Sequence, residues 1–240
     1  MKQRSLELEH IDKGDYTAAE YEGCLVELRR VNRWLGDARA IKRTLLEEIG
    51  QTGLKRFAVL DVGAGSGELL REVARWTVKN NAEARLVGLE LNGRSARAIL
   101  EESAAAYPDI AAVRGDALRL PFADAAFDYV ICSLFTHHFR DEDVVTILRE
   151  MSRVARRRVF VIDLHRHRLA YLLYTTAGKI ILHNRLLRED GALSIRRSFR
   201  PAELRRLAAQ SGLTNIEVSR QFPFRLVLSA RRARSVEHGC

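Results

Sequence analysis

Two rhythms of apolar and polar residues run along the chain, and the change from one to the other near Phe57 divides it. From Glu20 to Ile49, the residues Leu25, Leu28, Val31, Leu35, Ile41, Leu45 and Ile49 recur three or four apart, the spacing of one helix face. Gly36-Asp37 breaks that run into two helices. From Phe57 short apolar runs alternate with amphipathic stretches, the pattern of a parallel sheet covered by helices on both faces. It predicts strands at Phe57 to Val62, Leu86 to Glu90, Ala111 to Arg114, Phe127 to Ser133 and Arg158 to Leu164. Helices are predicted at Glu68 to Val78, Asn92 to Ala105 and Val144 to Val154. Pro201 in a first turn, Leu204, Leu207 and Ala208 on one face, and Gly212 as a stop predict a further helix from Pro201 to Ser211. Two last strands, Asn215 to Gln221 and Phe224 to Ala230, are joined by Phe222-Pro223 alone, which predicts an antiparallel hairpin.

The expected architecture is therefore a doubly wound α/β domain over residues 53–240, with a mostly parallel seven-stranded sheet, behind a helical cap segment over residues 1–52. Residues 165–198 interrupt the alternation as a helical insertion. Their core, Leu169 to Leu182, is apolar nearly all round, so it is expected to bury more than one face or to lie over an apolar ligand as a lid. A dimer contact is a second reading of this insertion. A membrane-surface element is a third, because Arg166, Arg168, Lys179, Arg185 and Arg188 flank the apolar stretch. Monomer and homodimer both fit.

At 240 residues and 47% hydrophobic content the chain can bury a full core. Lys+Arg 40 against Asp+Glu 31 leaves a charge of +9, which suits an anionic partner. Much of the excess lies in Arg156-Arg157-Arg158, Arg196-Arg197, Arg205-Arg206 and Arg231-Arg232, which are expected to be solvated faces. Cys24, Cys132 and Cys240 have neither metal-ligand nor redox-pair spacing, so the expected compartment is a reducing cytoplasm. The first ten residues lack the apolar core of a secretory signal. The longest uncharged stretch, Leu169 to Gly178, is too short to span the roughly 30 Å apolar layer of a bilayer.

The densest chemistry is Val59-Leu-Asp-Val-Gly-Ala-Gly-Ser-Gly67, where glycines alternate as a buried strand turns into a helix. Glycine there lets a ligand approach the backbone and permits the dihedrals of the turn. A dinucleotide fingerprint would need a glycine at Glu68, and a phosphate loop would need a lysine and a hydroxyl after Gly67. Neither is present. Glu90 ends the next predicted strand, where a carboxylate can accept both hydrogen bonds of a ribose diol. Asp116 and Ala117 follow the third, where a carboxylate and an amide can meet an adenine.

These residues, with Phe127-Asp-Tyr-Val-Ile-Cys-Ser133, resemble the class I S-adenosylmethionine (SAM)-dependent methyltransferases from about Phe57 to Ala230. The resemblance implies a Rossmann-like fold with SAM as cofactor. It implies that Asp61, Gly63, Ala64, Gly65 and Gly67 border the methionine and sugar, that Glu90 and Leu91 hold the ribose, and that Asp116 and Ala117 hold the adenine. Ser133 and Leu134 would lie near the sulfonium. A narrower resemblance runs through Leu28-Arg-Arg-Val-Asn-Arg-Trp-Leu35, Cys132-Ser-Leu-Phe-Thr-His-His-Phe139 and Ser198-Phe-Arg-Pro-Ala-Glu-Leu204. These stretches look like small-molecule methyltransferases found beside type III polyketide synthases and, more distantly, those of quinone biosynthesis. They imply an apolar, phenolic or quinol-type acceptor and favour oxygen over carbon.

Because a sulfonium methyl group is already activated, the enzyme has mainly to align it and exclude water. A phenol, with a pKa near ~10, would still gain from a base, and histidine suits neutral pH. His137 and His138, directly after the fourth strand, are the candidate catalytic residues, with His165 and His167 beside Asp163 as alternates. No metal cluster is predicted. A nucleic-acid methyltransferase fits the basic charge, but the Asn/Asp-Pro-Pro-aromatic loop of amine methylators is absent at Ser133 to Thr136. Cys132 follows Ile131 inside a strand and lacks the preceding proline of a pyrimidine-directed nucleophile. A non-catalytic SAM-binding module is the third reading.

Overall fold

A computed structural model describes residues 1, 3–17, 19, 20, 23, 24, 27 and 37–232. The predicted helical positions Leu25, Leu28, Val31 and Leu35, the break at Gly36, the stretch 28–35 and Cys240 lie outside the described residues. After the short helix α1 (His10–Lys13), α2 (Asp37–Ile41) passes through a π-helical turn (Lys42–Leu46) into α3 (Glu47–Thr52). Ile41, Leu45 and Ile49 are buried along it as their spacing requires.

The sheet then alternates with helices: β1 (Arg56–Val62), α4 (Glu68–Asn80), β2 (Glu83–Glu90), α5 (Gly93–Ser103), β3 (Ala111–Arg114), β4 (Phe127–Ser133), α6 (Asp141–Val154) and β5 (Ala155–Leu164). The insertion folds as α7 (Arg168–Ile181) and α8 (Arg185–Arg197). The chain closes with α9 (Pro201–Gln210) and the hairpin β6 (Thr214–Gln221) and β7 (Arg225–Arg231). The sheet order is β3-β2-β1-β4-β5-β7-β6, with β7 alone antiparallel to its neighbours. This is the expected seven-stranded, doubly wound arrangement with its antiparallel hairpin.

Both faces of the sheet are buried, and successive strand residues feed opposite cores. Phe57 and Val59 pack with Leu70, Val73 and Ile99 under the helices α2 to α5. Ala58, Leu60 and Val62 pack with Ile147, Leu148 and Leu207 under α6 and α9. Truncating a fully buried leucine such as Leu60 or Leu148 would cost about 2–5 kcal/mol.

Some sequence expectations change. Strand β5 begins at Ala155 and absorbs Arg156 to Arg158: Arg158 pairs with Tyr129 of β4 and Arg231 of β7, while Arg156 and Arg157 fall in an irregularity of the β4 ladder. Arg197 is not on a solvated face: it is buried, with Nη1 3.0 Å from Asp12 Oδ2, so the Arg196-Arg197 pair splits between solvent and interior. The apolar stretch of α7 does not bury more than one face, because Leu169, Leu172, Leu173 and Ile181 are exposed. Among the described residues, no helix is long and apolar enough to cross a membrane.

The chain runs outward from β1 through β2 to β3 and then returns to β4 on the other side of β1. The connections above β1 and β4 therefore part in opposite directions, leaving a crevice at the carboxyl ends of these strands.

Candidate functional site

The turn after β1 floors this crevice. Gly63 N–H donates to Leu89 O at 2.9 Å and Gly67 N–H to Ala64 O at 2.8 Å, which folds the turn against the end of β2. At Gly63, φ is +70°, and an added Cβ would lie 2.3 Å from the Phe135 ring, so backbone and aromatic ring meet as only glycine allows. Gly65 has φ +58°, and a Cβ there would meet nothing within 4 Å: its bare side faces open space. Gly65 N–H donates to Glu90 Oε1 at 2.6 Å, tying the turn to the tip of β2.

A cavity of about 540 Å³ joins Asp61, Gly63, Ala64, Gly65, Glu90, Ser133, Leu134 and His138. The predicted residues Gly67, Leu91, Asp116, Ala117 and His137 lie outside its lining. Leu91 is exposed, and Ala117 is packed in the core beneath β3. Asp116 accepts from Leu118 N–H at 2.9 Å, which turns the chain after β3. Gly67 caps α4 in the left-handed conformation. Leu134 leaves β4 at φ 50°, a conformation leucine rarely adopts, and sets the backbone that lines the cavity.

Electrostatics distinguish the floor. Asp61 is buried and its Oδ1 has no hydrogen-bond partner, nor has the buried Ser133 Oγ. Burial pushes the Asp61 carboxyl well above the ordinary carboxylate range, and the neighbouring Glu90 pushes it the same way. Burial also raises Glu90, against the pull of the Gly65 and Leu91 amides. Among the described residues, no cation lowers either carboxyl appreciably, although Arg94 also lines the cavity. The floor is thus suited to a ligand that brings positive charge and hydroxyl donors.

At the other end of the cavity Phe135, Phe139 and Ile11 supply apolar walls around His138. His138 Nδ1 lies 3.5 Å from Asp12 Oδ1 and 3.7 Å from Glu9 Oε2. His137 turns the other way: its Nδ1 is 2.6 Å from Asp163 Oδ1, while Asp163 Oδ2 accepts from Thr136 Oγ1 at 2.6 Å and from His137 N–H at 3.1 Å. Burial opposes ionising Asp163, yet His137 and these hydrogen bonds outweigh it and hold the carboxyl down at about 2. Asp163 therefore orients His137, not His165 or His167. The fully buried Cys132 thiol is pushed well up by burial, which removes its nucleophilic form.

Sequence reasoning missed the N-terminal segment. Arg4 bridges Asp141 at 2.6 Å, Phe139 O at 3.0 Å and Arg197 O at 2.7 Å, with its guanidinium 4.0 Å over the Phe199 ring. Asp190 receives His10 N–H at 2.7 Å and Ile11 N–H at 3.1 Å, and so anchors α1 on α8. These contacts bring Ile11 and Asp12 into the lining, whereas α7 and α8 contribute nothing to it. No periodicity marks a short polar segment whose partners lie so far along the chain.

Among the described residues, Glu9, His137 and His138 form a group that can gather ligand atoms within 4.8 Å, contrary to the expectation of no such cluster. Glu9 Oε1, however, accepts from Ser194 Oγ at 2.8 Å and lies 3.9 Å from Arg197 Nε, a buried positive charge that opposes a metal ion.

Residues 59–158 match the family model described as a methyltransferase domain. A demethylmenaquinone methyltransferase of Beutenbergia cavernae is 36% identical over 110 residues, a match covering 45% of this chain and 45% of that relative. The chain thus matches less than half the length of this curated relative. Among solved structures, a SAM dependent methyltransferase from Aquifex aeolicus superposes with a TM-score of 0.60 at 15% identity, covering 83% of this chain and 91% of that one. Human N-acetylserotonin methyltransferase in complex with SAM superposes with a TM-score of 0.65 at 13% identity, over 96% of this chain and 64% of that one. These likenesses bear out the expected fold, and the family match bears out a methyltransferase domain over its stretch.

Proposed function

We propose that the methyltransferase domain of residues 59–158 is the core of an enzyme that moves a methyl group from SAM to an oxygen of a small apolar acceptor, phenolic or quinol-type. The observation that carries this reading is the pair Asp61 and Glu90, two carboxyls raised by burial beside a glycine turn, with no cation among the described residues to lower them. SAM when bound supplies a methyl group on a positively charged sulfur. Its ammonium and sulfonium match the charge that Asp61 lacks, and a ribose diol matches Glu90. Asp116, exposed just beyond the cavity lining, takes the adenine amino group, with Ser133 and Leu134 toward the sulfur. The names of the curated relatives support a quinol-type acceptor.

On the acceptor side, Phe135, Phe139 and Ile11 exclude water and pack against an aromatic ring. His138 takes the acceptor hydroxyl proton, and Asp12 and Glu9 stabilise the imidazolium that results. His137, fixed by Asp163, positions the turn that presents His138.

Calorimetry with S-adenosylhomocysteine (SAH), together with transfer of label from SAM to an organic-extractable phenol and quinol panel, tests this reading. Asp61→Asn is expected to weaken SAH binding about 10- to 150-fold, the 1.5–3 kcal/mol of a charged hydrogen bond. The same variant should lose no stability, because it removes a buried carboxyl that lacks a partner. Absence of binding by both SAM and SAH to the unaltered chain would end the proposal, and label on carbon would correct its choice of oxygen.

A further inference from the structure

A second cavity, of about 690 Å³, opens beyond β5 at the same edge of the sheet. Five arginines and two histidines line it, with no carboxylate among the lining residues. Two of those arginines are neutralised in its wall: Arg166 pairs with Glu203, and Arg225 Nε lies 2.5 Å from Asp37 Oδ1. The other three are not. Arg200 Nη2 reaches only a carbonyl, Met1 O at 3.0 Å, and among the described residues Arg168, Arg200 and Arg220 form no ion pair.

These three side chains come from separate elements, the first residue of α7, the N-cap of α9 and the penultimate residue of β6. Sequence-distant parts of the fold therefore converge like charges on one hollow, at a repulsive cost that a bound anion would reverse. The amino ends of two helices, α7 and α9, also point their dipoles toward the hollow, although Leu169 N–H is already taken by His167 Nδ1 and Pro201 has no N–H to offer. The electrostatics agree: the His165 imidazole is held down to about 4 by burial and then by His167, Arg220, Arg200 and Arg166. The rim is aromatic, with Phe224 stacked on His167 at 5.4 Å between ring centres and Phe222 exposed at 77%.

We infer that this cavity is a binding site for phosphate groups, separate from the crevice that holds Asp61 and Glu90. Guanidinium forks match phosphate oxygens in pairs, and three forks supply more donors than one carboxylate can use. A soluble phosphate ester and a phospholipid headgroup share that chemistry.

Two probes distinguish these sources on the full chain: sodium pyrophosphate in calorimetry at low salt, and phosphatidylglycerol vesicles in co-sedimentation against phosphatidylcholine vesicles. The unaltered chain should bind at least one of them. The double variant Arg168→Ala/Arg220→Ala should weaken that binding at least tenfold, with SAH affinity within twofold of the parent as a check on folding. Arg205→Ala/Arg231→Ala removes equal charge from exposed positions elsewhere and should keep binding. Binding of neither probe, unchanged binding by the first variant, or equal loss in both variants overturns the site.

Discussion

The two cavities at the carboxyl edge of the sheet carry opposite electrostatic deficits. Above β1 and β2, Asp61 and Glu90 line one cavity with no cation among the described residues to lower them, while beyond β5, Arg168, Arg200 and Arg220 line another that no described carboxylate lines. Between the two runs a buried ion pair, in which Asp37 lines the first cavity and Arg225 the second. One sheet edge thus holds two electrostatically unlike cavities, and the charges on the wall between them neutralise each other. Charge compensation inside a fold marks where structure is wanted, and its absence marks where a ligand is.

The contrast is broken most severely at the acceptor end. His138→Ala should lower turnover about 10²- to 10⁴-fold, the range of a general base, with SAH affinity within twofold. Arg220→Ala should change turnover less than twofold, and EDTA should affect neither, since Arg197 beside Glu9 opposes a metal there. Steady-state kinetics with labelled SAM reads all three. The dividing wall comes next. Asp37→Asn leaves the Arg225 guanidinium buried without its counter-charge and should cost about 3–5 kcal/mol in urea unfolding. Asp37→Asn/Arg225→Met should recover much of that loss.

The smallest effect separates the cavities by pH. Because Asp61 and Glu90 are raised, protons compete with the ligand's ammonium as pH falls. SAH affinity should therefore drop as pH is lowered into the raised range of these carboxyls, by at most about tenfold per unit for each proton taken up. Pyrophosphate affinity, corrected for the protons that pyrophosphate itself takes up, should not fall as pH is lowered toward 5, because guanidinium groups stay charged and His165, held to about 4, stays neutral. Parallel calorimetric titrations in which both affinities fall together would contradict the separation.

The strands and turn that floor the first cavity were legible in the sequence because their signals are local. Strand, turn and helix from Val59 to Leu70 are contiguous, and Phe127 to Ser133 is a strand with the predicted ends because Tyr129 to Cys132 is an unbroken apolar run too short for a buried helix. The acceptor half was not legible. Glu9, Asp12 and Arg4 meet His138, Arg197 and Asp141 across most of the chain, and no sequence period records such meetings. Arginine runs misled for a related reason: a guanidinium reads as solvent-exposed until a distant carboxylate claims it, as Asp12 claims Arg197 and Asp37 claims Arg225. The histidine pair was found by its place after a strand, yet only the fold separates His138 in the crevice from His137 held beneath it by Asp163.

The anchoring of residues 4–12 on α8 also sets an order of assembly. The cofactor crevice needs little beyond residues 56–133, whereas the acceptor corner needs the first stretch of the chain to wait for Arg197 and Asp190. At about 5–20 residues per second of synthesis that wait is roughly 10–40 s. The far corner of the cavity is therefore completed only after the strands from β1 to β5 have been made, a delay set by chain connectivity alone.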